Sequence, residues 1–167
     1  MIIFGIDTAL RSTGYGIIKV EGRRVSAVDC GVIKNKKKSA LSECLRRLAG
    51  GIQEIIDLYH PDIAALEGGF YFRNAQTAMV LGMARGTVVS ILAQSQIPTY
   101  EYAPRRAKQA VVGYGNASKQ QVAFCMAESL QLNVTEIPND STDAMAVAMC
   151  HALTQQYGQG IHLPTPL

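Results

Sequence analysis

The chain contains 167 residues, enough for one compact domain and too few for a two-lobed enzyme or an array of domains. Apolar residues make up 48% of it, so one sizeable core can form. Charged residues make up only 17%, below the roughly 25% of a typical domain. The net charge of +3 is too small to identify a ligand, so the positions of the charges carry more information than their sum.

Positive and negative charges are segregated along the chain. Residues 34–47 and residues 68–119 each carry a net charge of +5, whereas residues 48–67 and 120–167 each carry −4. Basic surface beside concentrated acid is typical of a protein that binds a polyanion next to metal-binding carboxylates. Ordinary solvated faces would give the same counts, so the motifs must decide.

The hydrophobic pattern predicts one α/β domain with the element order β-β-β-α-β-α-β-α-α-α. The predicted elements are strands at 2–7, near 14–20 and near 25–33, a helix over 39–59, a strand at 62–67, a helix over 75–95, a strand at 97–102, and helices that begin at 104, near 118 and at 140. Hairpin-linked strands followed by alternating strands and helices imply a mixed five-stranded sheet with helices on both faces. We assign residues 1–157 to this domain and residues 158–167 to a flexible C-terminal tail.

The cysteines and the N-terminus indicate the compartment. The four cysteines form no C-x-x-C pair and have no zinc-ligand spacing, which favours free thiols in a reducing environment. The N-terminus has no signal-peptide pattern, and we recognise no apolar run of membrane-spanning length. We therefore expect a cytoplasmic protein.

Four acidic residues lie in three segments that can converge. Asp7 ends the first strand and Glu67 ends the fourth, so neighbouring strands would bring both to one edge of the sheet. Asp140 and Asp143 are three residues apart at the start of a helix and share one face of it. Converging carboxylates suit two Mg²⁺ ions about 4 Å apart, with Mn²⁺ as a substitute. Taken singly, each acid also fits a strand end, an N-cap or a first helical turn.

Four segments of the chain resemble the RuvC family of bacterial Holliday-junction resolvases. They are GID-x6-GYG, ALEGGF-x3-NAQTAMVLGMARG, KQAVVGYGNASKQQV and DSTDAMAVAMCHA, and the resemblance runs from about residue 2 to 155. It implies an RNase H-like fold, a homodimer, and paired symmetric nicking of four-way DNA junctions by two-metal-ion hydrolysis in DNA recombination and repair. It also implies partnership with the RuvA–RuvB branch-migration complex. The family's four catalytic acids, which hold Mg²⁺, fall here on Asp7, Glu67, Asp140 and Asp143.

The resemblance also assigns residues around the acids. Lys108 and Lys119 match lysines near the scissile phosphate, where an ammonium group can neutralise charge that develops in the transition state. Phe70 matches an aromatic residue that stacks on unpaired bases. We expect Lys108, Lys119 and three arginines to contact the DNA backbone as well; the arginines are Arg73, Arg105 and Arg106.

Several features fit two interpretations. The Lys34–Lys38 run is either a solvated turn or a DNA contact. The small-residue face of Ala78, Gly82 and Gly86 serves either packing within the monomer or the dimer interface. His151 has no ligand spacing, and we expect a structural or surface role for it.

Two positions depart from the family pattern and leave the loop geometry open. Thr8-Ala9 replaces the family's Pro-Gly, and Gly68-Gly69 replaces bulkier residues.

Three other functions remain as alternatives. The carboxylates alone would suit another RNase H-like nuclease, which would prefer an RNA–DNA hybrid. A Gly-rich turn after a strand also suits an actin-like ATPase, although the length argues against its two lobes. A catalytically inactive junction-binding protein would bind four-way junctions without cutting them.

Overall fold

The computed structural model describes residues 1–68, 74–132, 139–157 and 164–167. The strands and helices in these ranges follow the predicted order. They are β1 (Ile2–Asp7), β2 (Ser12–Glu21), β3 (Arg24–Lys34), α1 (Leu41–Tyr59), β4 (Ile63–Glu67), α2 (Ala75–Gln94), β5 (Thr99–Tyr102), α3 (Pro104–Val112), α4 (Lys119–Leu130) and α5 (Asn139–Tyr157).

The five strands form one mixed sheet in the order β3-β2-β1-β4-β5. β1 pairs antiparallel with β2, and β2 pairs antiparallel with β3, whereas β1, β4 and β5 run parallel. Ile6 is in register with Leu66, so the strands β1 and β4 end side by side. The predicted mixed five-stranded sheet is therefore confirmed.

Helices cover both faces of the sheet, as predicted. On one face, α1 and α2 pack through apolar side chains such as Leu48, Ile52 and Val88 against Phe4 and Ile6 of β1. On the other face, α3, α4 and α5 bury Met126, Val147 and their neighbours against Ile3 and Ile18. Each strand near the centre of the sheet is therefore apolar on both sides, which is why β1 and β4 read as continuous apolar runs.

Glycines in β1 and β2 let helix α5 lie unusually close to the sheet. A Cβ atom added at Gly5 would collide with the backbone oxygen of Ala144, and one added at Gly14 would collide with that of Asp140. Larger residues at these strand positions would push the helix away from the sheet. The GID-x6-GYG motif therefore has a physical role, because it seats the start of α5 against the ends of β1 and β2.

Local signals in the sequence also hold in the structure. Ser118 and Gln121 form the predicted capping box at the start of α4. Gly22, with a φ of 61°, forms the tight turn between β2 and β3. Helix α1 begins at Leu41, two residues later than predicted, and Ala40 is its N-cap.

Helix α2 differs from the expectation that the chain has no apolar segment of membrane-spanning length. Among the described residues, it alone is long and apolar enough to cross a membrane by length and composition. It nevertheless buries Ala84, Val88 and Leu92 in the core on one side. A helix with this packing belongs to the α/β domain, and length and composition alone are weak evidence for a membrane segment.

Some predictions fall outside the described residues. Phe70 and Arg73 lie in the range 69–73, and much of the expected tail lies in 158–163. The domain limits at 157 and 158 therefore stay a prediction.

Candidate active site

The first two acids meet at the ends of neighbouring parallel strands. Asp7 is the last residue of β1 and Glu67 is the last residue of β4, one position beyond the Ile6–Leu66 pair. Side chains alternate along a strand, so two residues at the same register position point to the same face. Ligand oxygens of these two carboxyl groups lie within 4.8 Å of each other.

Helix α5 adds the third carboxylate to this pair. Ligand oxygens of Asp7, Glu67 and Asp143 all lie within 4.8 Å of one another, and all three residues are half-buried. Asp143 lies one turn into α5, where the close contact of that helix with the sheet places it over the strand ends. The sequence prediction that these acids converge agrees with this geometry.

The fourth predicted acid, Asp140, lies at the rim of this group. It is exposed, and the hydroxyl of Ser12 donates a hydrogen bond to its carboxylate. Asp140 is outside the 4.8 Å cluster, although its charge is near enough to raise the pKa of Asp7 by repulsion. Asp140 and Asp143 are three residues apart and share a face of α5, so both lie on the side of the helix that faces the strand ends.

Burial and mutual repulsion favour protonation of the clustered acids. Burial raises the pKa of the Glu67 carboxyl to about 8, and the negative charges of Asp7 and Asp143 act in the same direction. Burial also raises the pKa of Asp7, while the hydrogen bond from Glu67 opposes that rise. A divalent cation between these groups would neutralise the repulsion and favour the ionised carboxylates.

Lys119 provides a positive charge at the same site. Its ammonium group donates a hydrogen bond to Asp143, with Nζ 2.6 Å from Oδ2, and its pKa is raised mainly by that contact. The Lys119 side chain remains 71% exposed, whereas that of Asp143 is 14% exposed. The ammonium group is therefore tethered at the cluster and open to an approaching anion.

A second layer of contacts holds the end of β4. The Arg85 guanidinium of α2 donates to the backbone oxygen of Glu67 at 3.1 Å and pairs with the Glu101 carboxylate of β5. Gly68 gives room for this pair, because a Cβ atom there would collide with the Glu101 side chain. A larger residue at position 68 would therefore displace Glu101 from this pair. Side-chain contacts of α2 therefore reach the backbone of Glu67.

The turn at Thr8-Ala9, which follows Asp7, is stabilised by the hydroxyl group of Thr13. The Thr13 side chain donates to the Ala9 carbonyl and accepts from the Ala9 N–H. These two bonds close the turn after Asp7 without the family's Pro-Gly.

The remaining predicted DNA-contact residues occupy different positions. Lys108 is half-buried on α3 and makes no hydrogen bond or ion pair within the described part of the chain. Arg105 is exposed on the same helix. Arg106 instead stacks over the ring of Tyr102, with its guanidinium carbon 5.3 Å from the ring centroid. No described contact brings these three residues to the acids, and their predicted roles stay predictions.

His151 has the structural position that the sequence analysis allowed for it. It is 1% exposed, and its Nδ1 lies 2.9 Å from the hydroxyl of Tyr102. Burial lowers the pKa of its ring to about 4, so it is neutral near pH 7. This buried pair lies two turns along α5 from Asp143 and outside the carboxylate cluster.

Sequence reasoning missed Ser12, Arg85 and Glu101. Ser12 begins a strand and Glu101 lies within one, so neither position differs from an ordinary polar residue in the sequence. Arg85 was detectable as the single charge in the apolar segment 75–94, where a charged group requires a partner. Its partner lies 16 residues away and depends on the pairing of β4 with β5.

The donor set fits a hard divalent cation. Three carboxylates within reach of one centre, with no histidine or cysteine among them, are the oxygen ligands that Mg²⁺ and Mn²⁺ prefer. A mixed sheet whose edge gathers such carboxylates, with helices on both faces, defines a metal-dependent nuclease of the RNase H-like class.

Comparison with known proteins gives the family. The family model described as crossover junction endodeoxyribonuclease RuvC matches residues 3–151. The crossover junction endodeoxyribonuclease RuvC of Protochlamydia amoebophila is 41% identical over 152 residues, which cover 91% of this chain and 90% of the relative. The chain therefore belongs to the RuvC family of crossover junction endodeoxyribonucleases, a membership that implies dependence on a divalent metal.

Solved structures agree with this assignment. The structure of Thermus thermophilus RuvC is 29% identical with a TM-score of 0.87, and each chain is covered to 100%. The structure of T. thermophilus RuvC in complex with a Holliday junction substrate is 28% identical with a TM-score of 0.90, covering 100% of this chain and 99% of that one. The backbone of this chain is therefore similar to that of a relative bound to junction DNA.

Proposed function

We propose that this protein resolves four-way DNA junctions by nicking two strands in a divalent-metal-dependent hydrolysis, and so acts in DNA recombination and repair. The observation that carries the proposal is the cluster of Asp7, Glu67 and Asp143 within 4.8 Å, in a chain that belongs to the RuvC family. The similarity to a relative solved with a Holliday junction substrate supports the choice of DNA.

The carboxylates would hold Mg²⁺, with Asp7, Glu67 and Asp143 as the inner ligands and Asp140 completing the site. Bound Mg²⁺, two ions in the family's mechanism, supplies a reactive water and stabilises the leaving oxygen. The strand ends fix Asp7 and Glu67, so that the ligand oxygens are preorganised by the sheet. Helix α5 adds Asp140 and Asp143 from the face of the sheet on which it packs, and the Ser12 hydroxyl holds the Asp140 carboxylate beside the cluster.

Two lysines would act on the phosphate itself. Lys119 is tethered to Asp143 and exposed, so its ammonium group can stay at the site and also contact a phosphate oxygen. Lys108 is half-buried on α3, and this helix begins two residues after the end of β5. Both lysines, with Arg105 and Arg106, belong to the proposed DNA-binding set, as do Phe70 and Arg73 of the 69–73 segment.

The proposed working unit is a homodimer formed through helix α2. Paired cuts in a symmetric junction require two active sites related by a two-fold axis. On the outer face of α2, Met79 is 62% exposed and Met83 is 41% exposed. Atoms added at Gly82 or Gly86 would meet nothing within 4 Å, so this small-residue face is unpacked in the monomer and favours the dimer interpretation. Cooperation with the RuvA–RuvB complex and a cytoplasmic location complete the proposal.

The test is cleavage of a synthetic four-way junction with each strand labelled separately. We expect Mg²⁺-dependent nicks in two opposing strands, none in linear duplex or RNA–DNA hybrid of the same sequence, and loss of cleavage in EDTA. Asp7→Asn should retain junction binding and lose cleavage by a factor on the order of 10³, since a weakened metal site removes several kcal/mol of transition-state stabilisation.

The matched control is Asp62→Asn. Asp62 lies at the opposite end of β4 and accepts a hydrogen bond from the N–H of Ile2, a role that an asparagine oxygen can keep. This variant should cleave like the wild type. Preference for the RNA–DNA hybrid, or full cleavage by Asp7→Asn, would contradict the proposal, and binding without cleavage by the wild type would identify an inactive junction-binding protein.

A further inference from the structure

The Lys34–Lys38 segment is a strongly basic surface outside the carboxylate site. Its four lysines, which we call the basic turn, are all exposed; they are Lys34, Lys36, Lys37 and Lys38. Within the described ranges none of them forms an ion pair, and Glu43 is the single acid in residues 34–47. The charge of this surface is therefore available to an anionic partner.

The basic turn lies at the same edge of the sheet as the acids. Lys34 ends β3 and is in register with Ser12, whose hydroxyl contacts Asp140. Strands β1 and β3 run in the same direction on either side of β2, so Lys34 and Asp7 are both at the ends of their strands. Asp7 is in register with Gly14 and Gly14 with Val32, so Lys34 lies two strand spacings from Asp7 and two residues further along, about 12 Å in all.

Hydrogen bonds fix the backbone of the basic turn to the loop that follows Asp7. The Arg11 guanidinium donates to the Lys36 carbonyl at 2.7 Å. The Asn35 amide donates to the Leu10 carbonyl at 2.7 Å, and the Asn35 N–H donates to the Arg11 carbonyl at 3.0 Å. The lysines are therefore displayed from a preorganised backbone, which lowers the ordering cost of binding.

The positive surface continues beside the turn. A groove of about 500 Å³ between β3 and α1 has Lys34, Arg46 and Arg47 among its lining residues. Arg47 also donates to the Lys34 carbonyl at 2.7 Å. These basic residues, with Glu54 also in the groove, extend the positive surface of the basic turn along the β3–α1 side of the molecule.

We propose that the basic turn binds the phosphate backbone of one duplex arm of a junction whose crossover lies at the carboxylates. This inference rests on the proposed function. At 3.4 Å per nucleotide along a strand, the offset of about 12 Å between Lys34 and the carboxylates corresponds to about three to four base pairs. A duplex arm leaving the acidic centre requires cationic surface on its flank, and the basic turn provides it on the β3 side.

The experiment compares two double variants that remove equal charge. Lys37→Gln with Lys38→Gln alters the basic turn, whereas Arg23→Gln with Arg24→Gln alters the exposed β2–β3 turn at the opposite edge, about 30 Å along the strands. Junction affinity is measured across a salt series in EDTA, and cleavage is measured in Mg²⁺ at saturating junction. Melting temperatures confirm that both variants fold.

The slope of log affinity against log salt concentration should become shallower by about 1.8 in the Lys37/Lys38 variant, since each lost phosphate contact is worth about 0.9. It should be unchanged in the Arg23/Arg24 variant, whose saturated cleavage rate should also match that of the wild type. Equal slopes in the two variants, whether unchanged or equally shifted, would overturn the proposal.

Failure of the proposed function would look different. In that case the wild type would bind or cleave four-way junctions no better than linear duplex. A slope that is shallower in the Lys37/Lys38 variant than in the Arg23/Arg24 variant would still show that the basic turn contacts DNA.

Discussion

Two clusters of ionisable groups lie along helix α5, and burial has opposite effects on them. At the start of the helix, Asp143 joins Asp7 and Glu67 at an open edge of the sheet, with the exposed ammonium group of Lys119 beside them. Two turns later, His151 is enclosed and hydrogen bonded to Tyr102. The first cluster concentrates negative charge that a cation can neutralise, whereas the second is neutral and needs no ligand.

The comparison separates a candidate metal site from a structural pair on the same helix. Burial is the largest cause that raises the pKa of Glu67 to about 8 and the cause that lowers that of His151 to about 4, so a pKa perturbed by burial does not distinguish them. The two clusters are distinguished by their solvent access and by the crowding of like charges in the first one. The four predictions below test that distinction, from the largest expected effect to the smallest.

Lys119→Gln should reduce the cleavage rate at saturating junction by about 10²–10³-fold. The substitution keeps a hydrogen-bonding group near Asp143 but removes the positive charge that faces the phosphate. Single-turnover cleavage with excess enzyme measures this step directly. A variant with wild-type rate would place Lys119 outside the chemistry and leave it as a partner of Asp143 alone.

Arg85→Gln should weaken activation by Mg²⁺ by about 10–100-fold, as expected when a group that orients a metal ligand is lost. Arg85 contacts the Glu67 backbone and the Glu101 carboxylate, so its loss frees the end of β4. The readout is the Mg²⁺ concentration at half-maximal cleavage. Reduced melting temperature with an unchanged Mg²⁺ requirement would give Arg85 a structural role only.

Tyr102→Phe should destabilise the protein by about 1–3 kcal/mol and leave saturated cleavage unchanged. It removes the hydroxyl paired with His151, and His151 Nε2 already has no hydrogen-bond partner among the described residues. Denaturant unfolding with Mg²⁺-dependent cleavage measured in parallel separates the two effects. Lost cleavage at wild-type stability would move this pair into the active site.

The two clusters should also give stability opposite pH dependences in EDTA. Folding raises the pKa of Glu67 from 4.5 to about 8, so the folded state binds more protons than the unfolded state in that window. The free energy of unfolding should then fall as pH rises from 6.5 to 8. Glu67→Gln should flatten this slope, and Mg²⁺ should reduce it in the wild type.

The His151 contribution has the reverse sign. Its pKa falls from 6.5 to about 4 on folding, so the unfolded state binds more protons between those values. Stability from this residue is lost as pH falls through that window, and His151→Gln should remove the loss. For the carboxylate cluster, a wild-type free energy of unfolding that rises from pH 6.5 to 8 in EDTA would contradict the raised pKa of Glu67.

The sequence alone predicted most of the fold and indicated candidate acids, whose catalytic roles are implied by the family resemblance. Apolar runs that each end in one acid identified Asp7 and Glu67, because a strand buried on both faces tolerates charge only at its end. The helical spacing of Asp140 and Asp143 and the Ser118 capping box are likewise local signals, which depend on a few neighbouring residues.

Only the tertiary structure decided which groups touch. It separated Asp140, bound to Ser12, from the three clustered acids, and it brought Arg85 to Glu67. It also enclosed His151, which sequence left between a structural and a surface role. These contacts join residues 16 to 128 positions apart, and they depend on strand register and on the close seating of α5 over the glycines of β1 and β2. No local pattern encodes such distances, because they arise from how complete elements pack.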